Sequence, residues 1–225
     1  MRREPVITND GSHTIREIES GTTFHSHHGA VQESMHVFIE AGLRYWQQLH
    51  PGQSLHILEM GMGTGLNLLL TIREAALLKI KIHYTAIEAF PLEPTITNQL
   101  NYPEILQDPA LTGILSEIHQ SPWDTNIALT EWVEFKKLNT TLEDWQPAAA
   151  FDIIYYDAFS PMEQPELWTT GIFEKLIKPL HPGGLLLTYC SKTIVRKAMM
   201  AAGFTVIKIQ GPWGKRDMVR AMKPA

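Results

Sequence analysis

Three short segments of this 225-residue chain combine residue types that do chemistry. The first is Glu59-Met60-Gly61-Met62-Gly63-Thr64-Gly65-Leu66-Asn67. Alternating glycines let a backbone approach a ligand closely, and a helix opening behind them aims N–H groups at it. Leu66 stands where a dinucleotide fingerprint needs its third glycine, so the pattern is G-x-G-x-G and not G-x-G-x-x-G. The second is Glu88, which follows a β-rich run. A carboxylate at such a strand end accepts hydrogen bonds from both ribose hydroxyls of an adenosine ligand, whichever cofactor carries it. The third is Asp157-Ala158-Phe159-Ser160-Pro161. An ammonium has no lone pair, so an amine must lose a proton before it attacks carbon; Asp157 is placed to orient it and take that proton. Phe159 would wall the site against water. Each segment alone also reads blandly, as a ligand-free turn, a surface acid or a turn-starting Asp before proline. Together they describe a nucleoside pocket beside a proton acceptor.

Other residues narrow the class. His13, His25, His27, His28 and His36 invite a metal site, but no Cys lies near them and the 25/27/28 spacing does not share a helix face. The expectation is no metal, with His25 to Gly29 an exposed loop or gate. The single Cys190 has no partner for an internal disulfide. No apolar run approaches the ~18 residues of a membrane span, and no apolar stretch follows Arg2-Arg3 as in a secretory signal. A soluble, cytoplasmic chain is expected. Net charge is −5, unevenly spread. Residues 171–225 hold ten Lys/Arg against two acids, a net +8, and the rest holds nine against twenty-two, a net −13. A polyanion-binding face on an acidic body would produce this, as would a solvated basic surface with no partner.

The elements that must position these residues follow from periodicity. Pro5–Thr8 and Thr14–Ile18 flank Asn9-Asp10-Gly11, a hairpin signal. Val31, Met35, Phe38, Ile39, Leu43 and Trp46 recur at helical spacing. From Leu55 the chain alternates: strands near 55–60, 82–88, 132–137, 151–157 and 184–189, the last introduced by a Pro182-Gly183 turn, with helices at 66–78 and 193–202. A closing strand pair is expected at 204–209 and 218–222. The expected fold is α/β: a mainly parallel, doubly wound, Rossmann-like sheet with an antiparallel C-terminal strand and an N-terminal β-hairpin. Residues 1–50 would be a hairpin-and-helix extension packed on a core of 51–225, a single domain overall.

An acid at a strand end followed by G-x-G-x-G resembles class I S-adenosylmethionine-dependent methyltransferases. The wider series is more specific: Thr8-Asn9-Asp10-Gly11-Ser12, Gly29 with Glu33-Ser34, Glu59 to Asn67, Glu88 with Pro91-Leu92, Asp157 to Pro161 followed by Pro165-Glu166-Leu167-Trp168, Pro182-Gly183-Gly184, Val195-Arg196, Ala202-Gly203-Phe204 and Gly214-Lys215-Arg216-Asp217-Met218. In this order they resemble the MnmC methyltransferase-domain family, including its stand-alone MnmD form, from about residue 5 to 222. The resemblance implies methylation of the 5-aminomethyl amine of wobble (2-thio)uridine in tRNA, giving 5-methylaminomethyl-uridine, with S-adenosylmethionine as cofactor. It implies cofactor contacts at Glu59, Gly61, Gly63, Gly65, Asn67, Glu88 and Asp157, catalysis at Asp157 and Phe159, and tRNA contacts at Glu33, Pro161, Lys192, Arg196, Lys215 and Arg216. Leu138-Asn139-Thr140-Thr141 stands where many relatives place Gly-Asp near adenine, leaving Asn139 as the base contact. No FAD-dependent oxidase activity is expected in a chain of this length without a second fingerprint, so a separate enzyme would supply the aminomethyl group. The partner implied is the tRNA anticodon region, with no membrane. Two other readings stay open: a small-molecule amine methyl- or aminopropyl-transferase on the same sheet, and an RNA-binding module that keeps the pocket without chemistry.

Overall fold

Side-chain alternation explains why the central strands are buried on both faces. Strand β1 (Arg3–Ile7) and β2 (His13–Glu17) form a separate antiparallel hairpin. A continuous helix, α1 (residues 30–49), then leads to β3 (Leu55–Met60). Leu55 and Ile57 point to one face of the sheet and Leu58 and Met60 to the other, each into its own apolar cluster. Beyond the glycine turn come α2 (Leu66–Leu78) and β4 (Ile82–Ile87). Two short helical turns, Pro94–Thr97 and Tyr102–Ile105, precede α3 (Ala110–Gln120), a stretch for which the sequence reading named no element. Next are β5 (Ile127–Ala128), β6 (Val133–Leu138) and β7 (Phe151–Tyr156). The remainder is α4 (Thr170–Ile177), β8 (Leu180–Thr188), α5 (Thr193–Ala201), β9 (Thr205–Gln210) and β10 (Asp217–Met222). This computed structural model describes residues 2–147 and 149–225; Met1 and Ala148, one in each expected part, lie outside the described residues.

The eight-stranded sheet runs β5-β6-β4-β3-β7-β8-β10-β9. Strands β6, β4, β3, β7 and β8 are parallel, and β10 lies antiparallel between β8 and β9. The expected α/β class is therefore realised, with the closing pair inserted so that the last strand joins β8 directly. Strand order reverses between β3 and β7, and the crevice beyond their carboxyl ends is where such sheets bind ligands. Among the described residues no helix is long and apolar enough to cross a membrane.

Two local expectations change. The Pro182-Gly183 turn lies inside β8 as a bulge: the register against β7 jumps between Phe151–Leu180 and Ile153–Leu185, and Gly183 takes φ +80°. The helical run expected near 31–46 is helical, but over Met35–Arg44 it winds with the wider i→i+5 turn. That segment packs against α2 and β8.

Candidate active site

The carboxyl ends of β3, β4 and β7 floor a cavity of about 380 Å³. On the β3 side, Gly61 has φ +86°, and a Cβ there would come 2.8 Å from the Asp157 carbonyl oxygen. Only glycine permits that approach, which brings the two strand ends together. The amides of Gly61 and Asp157 donate to Ile87 and Met60 carbonyls, both at 3.0 Å. Glu88 closes the turn from the other side. Its carboxylate accepts hydrogen bonds from the Gly63 and Phe90 amides, both at 2.8 Å, and it remains on the cavity wall. Gly61, Gly63, Asn67 and Glu88 thus share one wall.

Glu59 and Gly65 do not. Glu59 is fully buried beneath the wall, where Asn67 Nδ2 donates to it at 2.8 Å, and burial holds its carboxyl well above the usual range. It orients Asn67 and is not exposed to a ligand. Gly65 takes φ +74° to open α2, and its Cα faces Ile118 of α3, not the cavity. Asn139 is exposed, away from the cavity wall, and donates to the Glu88 carbonyl at 2.9 Å. Thr141, Leu142 and Glu143 line the cavity in its place.

The other side of the cavity centres on Asp157. Asn67 Nδ2 donates to Asp157 Oδ2 at 2.9 Å as well as to Glu59. Burial pushes the Asp157 carboxyl up to about 7; Asn67 opposes the rise, the nearby Glu33 charge adds to it and Lys215 opposes it. Glu33 is buried on α1, accepts the Ser26 amide at 2.8 Å and forms an ion pair with Lys215. The Lys215 ammonium also sits 4.0 Å from the Tyr189 ring centroid, while Tyr189 donates to the Ala158 carbonyl at 2.9 Å. Lys215, expected as a tRNA contact, is thus drawn inward by an anion and a π face and lies near Asp157. Phe159 lines the cavity and meets Phe24 edge-on, centroids 5.1 Å apart. Pro161 follows it but lies off the cavity wall.

Several lining residues escaped the sequence reading. Phe24 packs against Gly63, and Arg3 lies over the Phe24 ring while donating to the Phe90 carbonyl at 2.9 Å. The hairpin and the loop behind it therefore roof the cavity. His25 is corrected from exposed to buried: it bonds Thr14 Oγ1 at 3.0 Å, lines the cavity, and burial lowers its imidazole to about 4. His27 and His28 stay exposed. Among the described residues no group of three His, Cys, Asp or Glu could hold a metal ion.

The basic C-terminal residues divide similarly. Lys192, Lys197 and Arg216 are exposed. Arg196 donates to the Ser191 carbonyl and to Thr193 at 3.2 Å. Arg220 stacks on Tyr45, its guanidinium carbon 3.4 Å from the ring centroid.

Residues 108–224 match the family described as S-adenosyl-L-methionine-dependent methyltransferase. Over 207 residues, 84% of this chain, it is 31% identical to the tRNA 5-methylaminomethyl-2-thiouridine biosynthesis bifunctional protein MnmC of Idiomarina loihiensis, covering 33% of that protein. The corresponding protein of Ectopseudomonas mendocina is 30% identical over 88% of this chain and 32% of its own length. The chain spans about a third of the length of these curated relatives. Among solved structures, MNMC2 from Aquifex aeolicus superimposes with a TM-score of 0.78 at 24% identity, covering 100% of this chain and 72% of that one. At that identity the likeness establishes the fold.

Proposed function

Because the chain belongs to the S-adenosyl-L-methionine-dependent methyltransferase family, we propose that it methylates the 5-aminomethyl amine of wobble uridine, or of its 2-thio form, in tRNA. The product would be 5-methylaminomethyl-uridine. The relatives' role in 5-methylaminomethyl-2-thiouridine biosynthesis supports the target. The observation that carries the amine chemistry is the Asp157 carboxyl, which a positive-φ glycine brings against the turn that cradles the cofactor.

The residues fit that cofactor. Gly61 and Gly63 line the cavity with backbone alone, and Glu88 presents its carboxylate for ribose hydroxyls. When bound, S-adenosylmethionine supplies an electrophilic methyl group on a sulfonium. Asp157, held by Asn67, would orient the incoming amine by accepting a hydrogen bond from it and would take the proton that an ammonium must lose before it can attack carbon. Glu59 fixes the Asn67 amide so that its donor stays aimed at Asp157. Phe24 and Phe159 meet over the reacting atoms and exclude water.

The test is mass analysis of nucleosides from tRNA that carries 5-aminomethyl groups, incubated with the protein and S-adenosylmethionine. Conversion to the methylaminomethyl nucleoside is expected. Methylation of free amines with none of tRNA would replace this reading with the small-molecule one.

A further inference from the structure

The loop between β9 and β10 presents a tryptophan to solvent: Trp213 is 75% exposed. Single exposed apolar side chains are ordinary on protein surfaces, so exposure alone assigns nothing. Three further observations give it a direction.

First, Trp213 is held in place. His28 packs directly on Gly214, and its ring lies parallel to the Trp213 indole within 9°, centroids 6.4 Å apart. A histidine from the loop before α1 thus backs the indole of the loop before β10. Second, that loop pair borders the acceptor side of the cavity. Phe24 and His25, on the same loop as His28, line it, and Lys215, two residues after Trp213, adjoins Asp157 through Glu33 and Tyr189. Two residues of chain reach at most about 7 Å. Third, cations lie on the same loop and on the elements beside it. Lys208 holds the Asp217 carboxyl below its usual range by a hydrogen bond of 2.6 Å, helped by Arg216 and Arg196, so these three share one surface. Lys192 and Lys215 both act on Cys190 beside them.

We propose that Trp213, backed by His28, is a stacking platform for a nucleobase next to the methylated uridine in a single-stranded RNA loop. An exposed aromatic face on a loop that also carries Lys215 and Arg216, beside the Asp157 side of a cavity, matches how single-stranded nucleic acid is held: cations follow the backbone and the π face takes a base. Its place beside the acceptor entrance assigns it a base flanking the target. The platform rests on the tRNA reading above and adds the contact that orients the loop. It recognises a base by its π face, so it tolerates changes of base identity at that position.

The test uses an anticodon stem-loop with 5-aminomethyluridine at the wobble position and the fluorescent base 2-aminopurine beside it. Wild-type protein is expected to quench 2-aminopurine on binding. Trp213→Ala should weaken RNA binding between about fivefold and a hundredfold and lose the quench. Trp213→Phe should keep both within a few-fold, and S-adenosylmethionine affinity and melting temperature should match wild type in both variants. An unchanged quench and affinity in Trp213→Ala, or no RNA binding by wild type, would overturn the platform. Methylation of the same stem-loop is scored separately: RNA bound with a Trp213-dependent quench but never methylated sinks the enzymatic reading and leaves the platform standing.

Discussion

The two sides of the cavity are built differently. The cofactor side is local: a strand, nine consecutive residues from Glu59 to Asn67, and one acid at the next strand end. Its contacts are mostly backbone groups, and the Glu88 carboxylate on its wall is tied down by two amides. The acceptor side is assembled from α1, the end of β7, the end of β8 and the β9–β10 loop, and its contacts are charged side chains. The comparison teaches that a ligand shared by many proteins can be held by a short backbone motif. A particular acceptor is set by groups far apart in the chain. Changes on the first side should act on cofactor affinity, and changes on the second on rate, pH dependence and salt dependence.

The largest effect should come from Asp157. Asp157→Asn is expected to lower single-turnover methylation by ~10²–10⁴ with cofactor affinity nearly unchanged. The same variant makes a stability prediction of opposite sense. The Asp157 carboxyl rises from 3.8 to about 7 on folding. Its contribution to stability is therefore full below about 3.8 and lost as pH rises through about 7. Asp157→Asn should melt a few degrees above wild type at pH 8, with the gap closing toward pH 4. Equal melting curves at pH 8 would mean that Asp157 is solvated and not desolvated by its site.

Next in size is Glu88. Glu88→Ala removes the ribose acceptor and frees the Gly63 and Phe90 amides. Calorimetry should show S-adenosylmethionine binding weakened by about tenfold to a hundredfold, the range for hydrogen bonds to a charged group. Turnover at saturating cofactor should stay within a few-fold of wild type. A rate loss as deep as that of Asp157→Asn would erase the distinction between the two sides.

Lys215 and Arg216 are neighbours that the comparison separates. Methylation should fall as pH drops and Asp157 takes up its proton. Lys215 holds the Asp157 carboxyl down, so Lys215→Met should move that low-pH limb upward. Arg216 is exposed. Arg216→Ala should leave the limb in place and flatten the salt dependence of tRNA affinity by about one unit, as expected for one lost phosphate contact. If Lys215→Met instead changes only the salt slope, its ammonium belongs with the phosphate contacts.

Much of the scaffold was legible in the residue order. The glycine turn, Glu88 and Asp157 lie at ends of strands that hydrophobic runs mark out, and a parallel sheet places such ends along one edge. One wall of the cavity could therefore be named from a few contiguous residues. Only tertiary structure decided the rest. Lys215 and Glu33 are 182 positions apart, Arg3 and the Phe90 carbonyl 87, and no periodicity relates such distant positions. The sequence also shows that residues 171–225 carry net positive charge, but not which of those cations remain free. Lys208 pairs with Asp217, Lys215 turns inward to Glu33, and Arg220 lies on Tyr45. The family resemblance likewise implied a cofactor contact at Glu59, although packing buries it beneath Asn67. Strand, turn and helix follow from short-range patterning and backbone sterics. Which charge meets which depends on how separate elements pack, and that packing decides which charged groups face the cavity.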